Sequence, residues 1–339
     1  MMRNPFNAGI ISILFFILLM SCVLSCKKET KPVIELSVEE STLDELNRLI
    51  SKDTLNHKLL FQRAQWFYEK EDFDSSIDDL RLAINLDAQQ PHYYHILSDV
   101  LMDYYRSNEA LQVMEKAAQT FPERIPTLLK LSETQHILKQ FEASLYTIAK
   151  IMTIDPQNAE AYFMMGLNFR SSNEIDRAIN AFQTATELDP QLVDAWLILG
   201  KLFENKNNGL ALQYYEAAIN VDQNNPATWH SKAFYLQNNG KIEEAIDLYK
   251  KIITIDKYYL DAYLNSGILY MELDSFPEAF EQFNILTNLK SEYYIAYYYR
   301  GLASAALGKT EQAKTDFQNC LNFNPSYTKA KLALDNLNK

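Results

Sequence analysis

Glycine is nearly missing from this chain, with 8 in 339 residues. A strand-and-turn fold needs more, because glycine supplies the left-handed corners that tight turns require. Cysteine is rarer still: Cys22, Cys26 and Cys320 are the whole set, with no paired C-x-x-C spacing. That pattern excludes a zinc-finger framework, and with two of the three near the N-terminus it predicts no intramolecular disulfide. Basic clusters are also absent. The formal net charge is −12, and since Arg3 is the one charged residue before Lys27, the chain from Cys26 onward carries −12 − 1 = −13. Phosphate binding needs clustered Lys and Arg, so nucleic acid is excluded as the expected partner. No G-x-G-x-x-G, P-loop, G-x-S-x-G or H-E-x-x-H occurs, which leaves no motif for a nucleotide, an acyl-transfer or a zinc-peptidase site.

Against these absences stand 21 tyrosines and 18 phenylalanines. Few glycines and many aromatics point to long helices packed on one another.

Residues 1–25 have the layout of an export signal: Arg3 in a short head, an apolar run from Ala8 to Met20, then small residues before a cysteine. Val23-Leu24-Ser25-Cys26 resembles the lipobox of bacterial lipoproteins, and Leu19-Met20-Ser21-Cys22 is a second candidate. In that family the leader is cut before the cysteine, which is then acylated. Cys26 is the preferred lipidation residue because cleavage there leaves the polar Lys27-Lys28-Glu29 at once; Cys22 would leave Val23 and Leu24 behind. An uncleaved anchor helix over Ala8–Ser25 is the alternative, at the short end of a bilayer span. The resemblance implies an exported chain, lipid-anchored to the bacterial envelope and expected at the outer membrane, with several acyl chains holding it firmly. Residues 26–41 read as a flexible tether reaching at most roughly 50 Å.

A 34-residue period runs through the remainder. The units are 57–90, 91–124, 125–158, 159–192, 193–225, 226–259, 260–293 and 294–327; the fifth is one residue short, near Asn207-Asn208-Gly209. Position 8 of each is Ala64, Ser98, Ser132, Gly166, Gly200, Ala233, Gly267 and Gly301. Position 20 is Ser76, Ala110, Ser144, Ala178, Ala211, Ala245, Ala279 and Ala313. Small side chains at fixed intervals are what two antiparallel helices need where they cross closely. Position 4 is always large, from Leu60 to Tyr297, and so is position 24, from Leu80 to Phe317. Proline stands at position 32 in four units (Pro122, Pro156, Pro190, Pro325), where it stops the second helix.

This pattern resembles the tetratricopeptide repeat (TPR) over residues 57–327. The resemblance implies an all-α fold: a right-handed α-solenoid of about eight helical hairpins. Position 11 departs from the family at Gln135 and Ser304. A capping helix is expected over 42–56, where Leu43, Leu46 and Leu49/Ile50 share one face, and another over 328–339.

By the same resemblance, positions 2, 5, 9, 12 and 13 face the concave side. In units four to eight they include Phe163, Leu167, Arg170, Leu197, Lys201, Phe234, Leu264, Ile268, Met271, Tyr298 and Leu302. An apolar strip of this kind predicts a protein or peptide partner with apolar or aromatic residues, with Arg170 and Lys201 orienting an acidic group. His92, His95 and Asp99 form a weak metal candidate outweighed by a plain surface role. Cys320 reads as a small buried hydrophobe. The expected function is a membrane-anchored, non-enzymatic scaffold without cofactor, metal or small-molecule substrate; the alternative is a structural subunit of an envelope secretion, motility or assembly complex.

Overall fold

The computed structural model describes residues 42–338. Cys22, Cys26, the leader and the tether lie outside the described residues. Eighteen helices and no strand occur among those described. α1 (Leu43–Lys52) is followed by eight hairpins: α2/α3 (His57–Glu69, Phe73–Leu86), α4/α5 (Pro91–Asp103, Ser107–Thr120), α6/α7 (Ile125–Ile137, Phe141–Ile154) and α8/α9 (Ala159–Ser171, Ile175–Leu188). Then come α10/α11 (Val193–Asn205, Leu210–Val221), α12/α13 (Pro226–Asn238, Ile242–Ile255), α14/α15 (Leu260–Glu272, Phe276–Leu289) and α16/α17 (Tyr294–Ala306, Thr310–Phe323), closed by α18 (Thr328–Leu337). Each helix packs on its neighbours in sequence, and the apolar core is a chain of linked clusters. That is the organisation of a solenoid, in which each unit touches only the next.

The 34-residue period works through four contacts that recur from hairpin to hairpin. The first is the close approach of the two helices. Ser76 and Ser144, at position 20, each donate a hydrogen bond of 2.8 Å to the carbonyl of position 8 (Ala64, Ser132). A side chain reaches backbone here, so only small residues fit. The structure also pairs position 8 with position 24. A Cβ added at Gly166, Gly200, Gly267 or Gly301 would fall 2.5–2.7 Å from the ring of Phe182, Tyr215, Phe283 or Phe317 respectively. Where position 24 is aliphatic (Leu80, Met114, Ile148), position 8 is Ala or Ser. Unit six, with Ala233 and Tyr249, is the exception.

The second contact closes the turn within each hairpin. Position 15 has positive φ in all eight units: Glu71, Tyr105, Lys139, Asn173, Asn207, Gly240, Asp274 and Gly308, at 52–74°. The N–H of position 16 then bonds the carbonyl of position 11, as from Asp72 to Phe67 and Lys309 to Ser304. This is the Schellman arrangement, which satisfies otherwise orphaned helix-end carbonyls. The deleted residue of unit five falls just after this turn, and α11 is correspondingly short at 12 residues.

The third contact shapes the turn between hairpins. Asp or Asn at position 31 accepts a hydrogen bond from the N–H two residues on, at Asp87, Asp155, Asp189, Asp222, Asp256 and Asn324. These Asx turns carry the chain into the next first helix. Proline after the Asp or Asn fits this geometry and is not needed for it.

The fourth contact explains the aromatics at position 4. Tyr94, Trp196, Trp229, Tyr263 and Tyr297 each bury a ring edge and donate a hydrogen bond, through the hydroxyl or indole N–H, to the carbonyl six residues earlier in that turn. The apolar body fills the joint while the polar tip satisfies a turn carbonyl. At position 11, Gln135 is buried and accepts from the Thr147 hydroxyl at 2.8 Å, so the departure from an apolar residue is internally satisfied.

The first and last hairpins carry the same polar ladder. Arg63 forks onto Asp79 at 2.7 Å and reaches Asn47 on α1; Arg300 forks onto Asp316, reaches Asn284 on α15 at 2.9 Å, and Asp316 is fully buried. Asn47 and Asn284 both lie sixteen residues before their arginine. α1 therefore occupies the place of a second helix from a preceding unit.

Candidate functional site

First helices of successive hairpins touch one another directly (α4–α6, α6–α8, α10–α12 and α14–α16), while successive second helices approach each other less. The first helices thus form the inner layer. Four of the five histidines sit in this layer and bridge one unit to the next. His57 meets the Tyr93 hydroxyl at 2.8 Å, His95 meets Thr127 at 3.1 Å, His136 meets Asn168 at 3.0 Å and His230 meets Asn265 at 3.3 Å. Asn168 donates its own N–H to Ser144 and to the Met164 carbonyl, so its oxygen accepts from His136. Burial lowers the pKa of His95, with Arg124 and Lys130 adding to it, and burial lowers that of His230 and His92 as well. These rings are held neutral.

The inner layer opens into a cavity of about 340 Å³ lined by His95, Pro126, Leu129, Lys130, Glu133, Glu160, Phe163 and Met164. Its walls come from three consecutive first helices, α4, α6 and α8, at positions 2, 5, 6 and 9. Position 6 adds Lys130 and Met164 to the set that family resemblance names. Lys130 bonds Asp99 at 2.7 Å and Glu133 at 3.1 Å. Burial opposes its charge, but these two carboxylates outweigh burial and raise its pKa. At the same face in the first two units the Tyr68 hydroxyl donates to Asp103; burial and that bond push its pKa up to about 12.

The anticipated groove residues divide their surface. Phe163 and Leu167 pack partly on the α9–α10 core, with Phe163 edge-on to Phe182. Leu264, Ile268 and Met271 lean on the α15–α16 core, and Tyr298 and Leu302 on the α17–α18 core. Leu197 is half-buried. Phe234 is the most open of these apolar residues, 38% exposed. It stacks on His230, with the Lys201 ammonium 5.9 Å from its ring. Lys201 is ion-paired with Glu204 at 3.1 Å. Arg170 is exposed and meets no carboxylate among the described residues.

The five groove positions across all eight units hold nine carboxylates (Glu69, Asp99, Asp103, Glu133, Glu160, Asp194, Glu204, Asp261, Glu272) and three cations (Lys58, Arg170, Lys201). This imbalance is legible in sequence once the units are stacked. Reading only the apolar residues of units four to eight hides it.

The metal candidate is dismantled by its neighbours. His95 faces Thr127, His92 packs edge-on to Phe61, and Asp99 is held by Lys130. No group of three or more His, Cys, Asp or Glu suited to a metal occurs among the described residues. Cys320 is fully buried, and burial pushes its thiol pKa up to about 11. No described helix is long and apolar enough to cross a membrane.

Family profiles described as tetratricopeptide repeat match residues 163–227, 214–247 and 295–327. The chain carries tetratricopeptide repeats. Among curated proteins it is 22% identical over 277 residues to the human mitochondrial import receptor subunit TOM70, covering 80% of this chain and 41% of that protein. It is 33% identical to human RNA polymerase II-associated protein 3 over 111 residues, covering 33% of this chain and 17% of that protein. The chain thus spans less than half the length of either relative. Among solved structures, the C-terminal part of a TPR repeat-containing protein from Cytophaga hutchinsonii superposes with a TM-score of 0.58 at 18% identity, covering 71% of this chain and 99% of that one. That likeness is one of fold: an all-helical TPR solenoid of about eight hairpins.

Proposed function

We propose that this protein is a non-enzymatic scaffold, lipid-anchored in the bacterial cell envelope, that holds a partner protein along the inner face of its first helices. The observation that carries the binding role is the cavity built jointly by α4, α6 and α8. One continuous surface made by successive units suits an extended or helical peptide better than a small molecule. The human relative is by name a receptor subunit, which accords with a surface that captures other proteins. The apolar stretch through Phe163, Leu167, Phe234, Ile268, Met271, Tyr298 and Leu302 supplies further contacts, and Arg170 is the cation free to meet an acidic group. Anchoring rests on the sequence Val23-Leu24-Ser25-Cys26 after an apolar leader.

Two measurements test this reading. Cross-linking in intact cells with mass spectrometry should place partner cross-links on first helices, and a Phe234→Glu/Ile268→Glu variant should lose them while keeping its helical spectrum. Unchanged cross-links in a folded variant would remove the groove from the account. Radiolabelled palmitate should enter the wild-type chain and a Cys22→Ser variant but not Cys26→Ser; no label in any of the three would remove the anchor.

A further inference from the structure

We infer that the partner segment seated in this groove is basic: a large apolar anchor residue flanked by Arg or Lys at intervals of about three residues. The inference rests on the groove being the protein-binding face and specifies what binds there. The floor of the α4–α6–α8 cavity is apolar (Pro126, Leu129, Phe163, Met164) and its rim is acidic. Lys130 is already engaged by Asp99 and Glu133, and Glu160 is exposed and meets no cation among the described residues. With His95 held neutral, the cavity with the adjoining Asp99 and Arg124, whose guanidinium acts on His95, carries three negative charges against two positive, a net of −1.

The same imbalance continues along the groove. Position 2 of units four, five and seven holds Glu160, Asp194 and Asp261, all exposed and all on one register of the inner layer. Where first helices pack directly on one another, as α4, α6 and α8 do, their axes lie about 8–10 Å apart. An extended chain advances about 3.3 Å per residue. A peptide crossing α4, α6 and α8 therefore advances about three residues from one first helix to the next. A neutral or acidic segment would bury apolar surface in the cavity yet leave the carboxylates unanswered or repelled, whereas cations answer them, speed association and fix register.

The test is selection of a randomised 12-residue peptide library, displayed on phage, against the full chain. Enriched peptides should carry Leu, Met or an aromatic residue with Arg or Lys three residues away. For the best of them, fluorescence anisotropy should show affinity falling with added salt. It should fall about tenfold in a Glu133→Lys/Glu160→Lys variant, because reversing two rim charges replaces attraction with repulsion at each. Glu187→Lys and Glu243→Lys, on second helices, should leave it unchanged. Enrichment of neutral or acidic peptides that cross-link to first helices would overturn this inference and leave the scaffold reading intact, as would unchanged affinity in the rim variant. Failure to enrich any peptide over a Phe163→Glu/Phe234→Glu variant would overturn both.

Discussion

Replacing Gly267 by alanine should destabilise the seventh hairpin even though alanine is the better helix former. In an open helix Gly→Ala gains about 1 kcal/mol. Here the new Cβ would lie 2.5 Å from Phe283 Cε1 and 2.7 Å from Cζ. Phe283 is fully buried, so its ring cannot swing into solvent. Overpacking of this kind costs about 1–3 kcal/mol. Unit six bounds the upper end, because Ala233 and Tyr249 coexist there, both fully buried; a hairpin can open slightly to admit that pair. The net expectation is a loss of about 1 kcal/mol. Phe283→Leu alone leaves a gap beside glycine and costs about 1–2 kcal/mol. The double variant restores the pairing that Ala64 and Leu80 make in unit one, so it should be no less stable than the worse single. The coupling energy is then about 1–2 kcal/mol, well above the additive limit for independent sites. Urea unfolding followed by helical circular dichroism supplies the four stabilities, and amide exchange in α14 and α15 localises the effect to that hairpin. A Gly267→Ala variant more stable than wild type, or a cycle that closes additively, would refute the steric pairing of positions 8 and 24.

Three further outcomes follow from the same contacts. Tyr105→Gly and Lys139→Gly should each raise the melting temperature, by about 0.5–1 kcal/mol in stability, because both residues hold a left-handed φ near 60° that costs a side chain about 1–2 kcal/mol; lower melting temperatures would mean those side chains stabilise the turn in some other way. Asp316→Asn should cost about 3–5 kcal/mol, since it removes the buried partner of Arg300, and should accelerate amide exchange in α16 and α17 before the rest of the solenoid. Stability should be complete above about pH 6.5 and decline as pH falls below it: His92, His95 and His230 have lowered pKa values when folded, so the unfolded chain takes up more protons in that window. A His95→Gln/His230→Gln variant that keeps the full wild-type difference in urea midpoint between pH 7.5 and 5.5 would contradict that assignment.

The hairpins were legible in sequence because their determinants are local and repeated. A small residue at position 8 is needed wherever two helices touch, so its spacing survives in all eight units. Other constraints of the same hairpins went unread. Position 15 is left-handed throughout, but its residues advertise it unevenly: Gly240 and Gly308, and less strongly Asn173, Asn207 and Asp274, suit that conformation, whereas Glu71, Tyr105 and Lys139 accept the strain because the Schellman bonds around them fix the turn. The aromatics at position 4 read as filler, whereas their hydroxyl or indole N–H ties down a turn carbonyl six residues back. The ladders Asn47–Arg63–Asp79 and Asn284–Arg300–Asp316 keep a sixteen-residue spacing that a search at 34 does not return. The groove was harder for a different reason. Sequence names the residues of a face but not how much of each the neighbouring unit covers, and most of the apolar side chains assigned there are half-buried against adjacent cores.

That difference separates what the fold fixes from what it leaves free. Positions 4, 8, 20 and 24 serve the hairpin itself, and each varies within narrow chemical limits from unit to unit. Positions 2, 5, 9 and 12 of the inner layer vary widely: position 9 alone runs through Gln65, Asp99, Glu133, Leu167, Lys201, Phe234, Ile268 and Leu302. Stability of the solenoid constrains that series only in part: Leu167, Ile268 and Leu302 lean on neighbouring cores and Asp99 ties α4 to α6, whereas Lys201 and Phe234 are exposed. Over these four positions six carboxylates stand against three cations, and Glu160, Asp194 and Asp261 among them are exposed and make no ion pair or side-chain hydrogen bond among the described residues. Recognition of a cationic, apolar segment gives these three carboxylates and the apolar floor of the cavity one common use, since none of the three holds two helices together among the described residues.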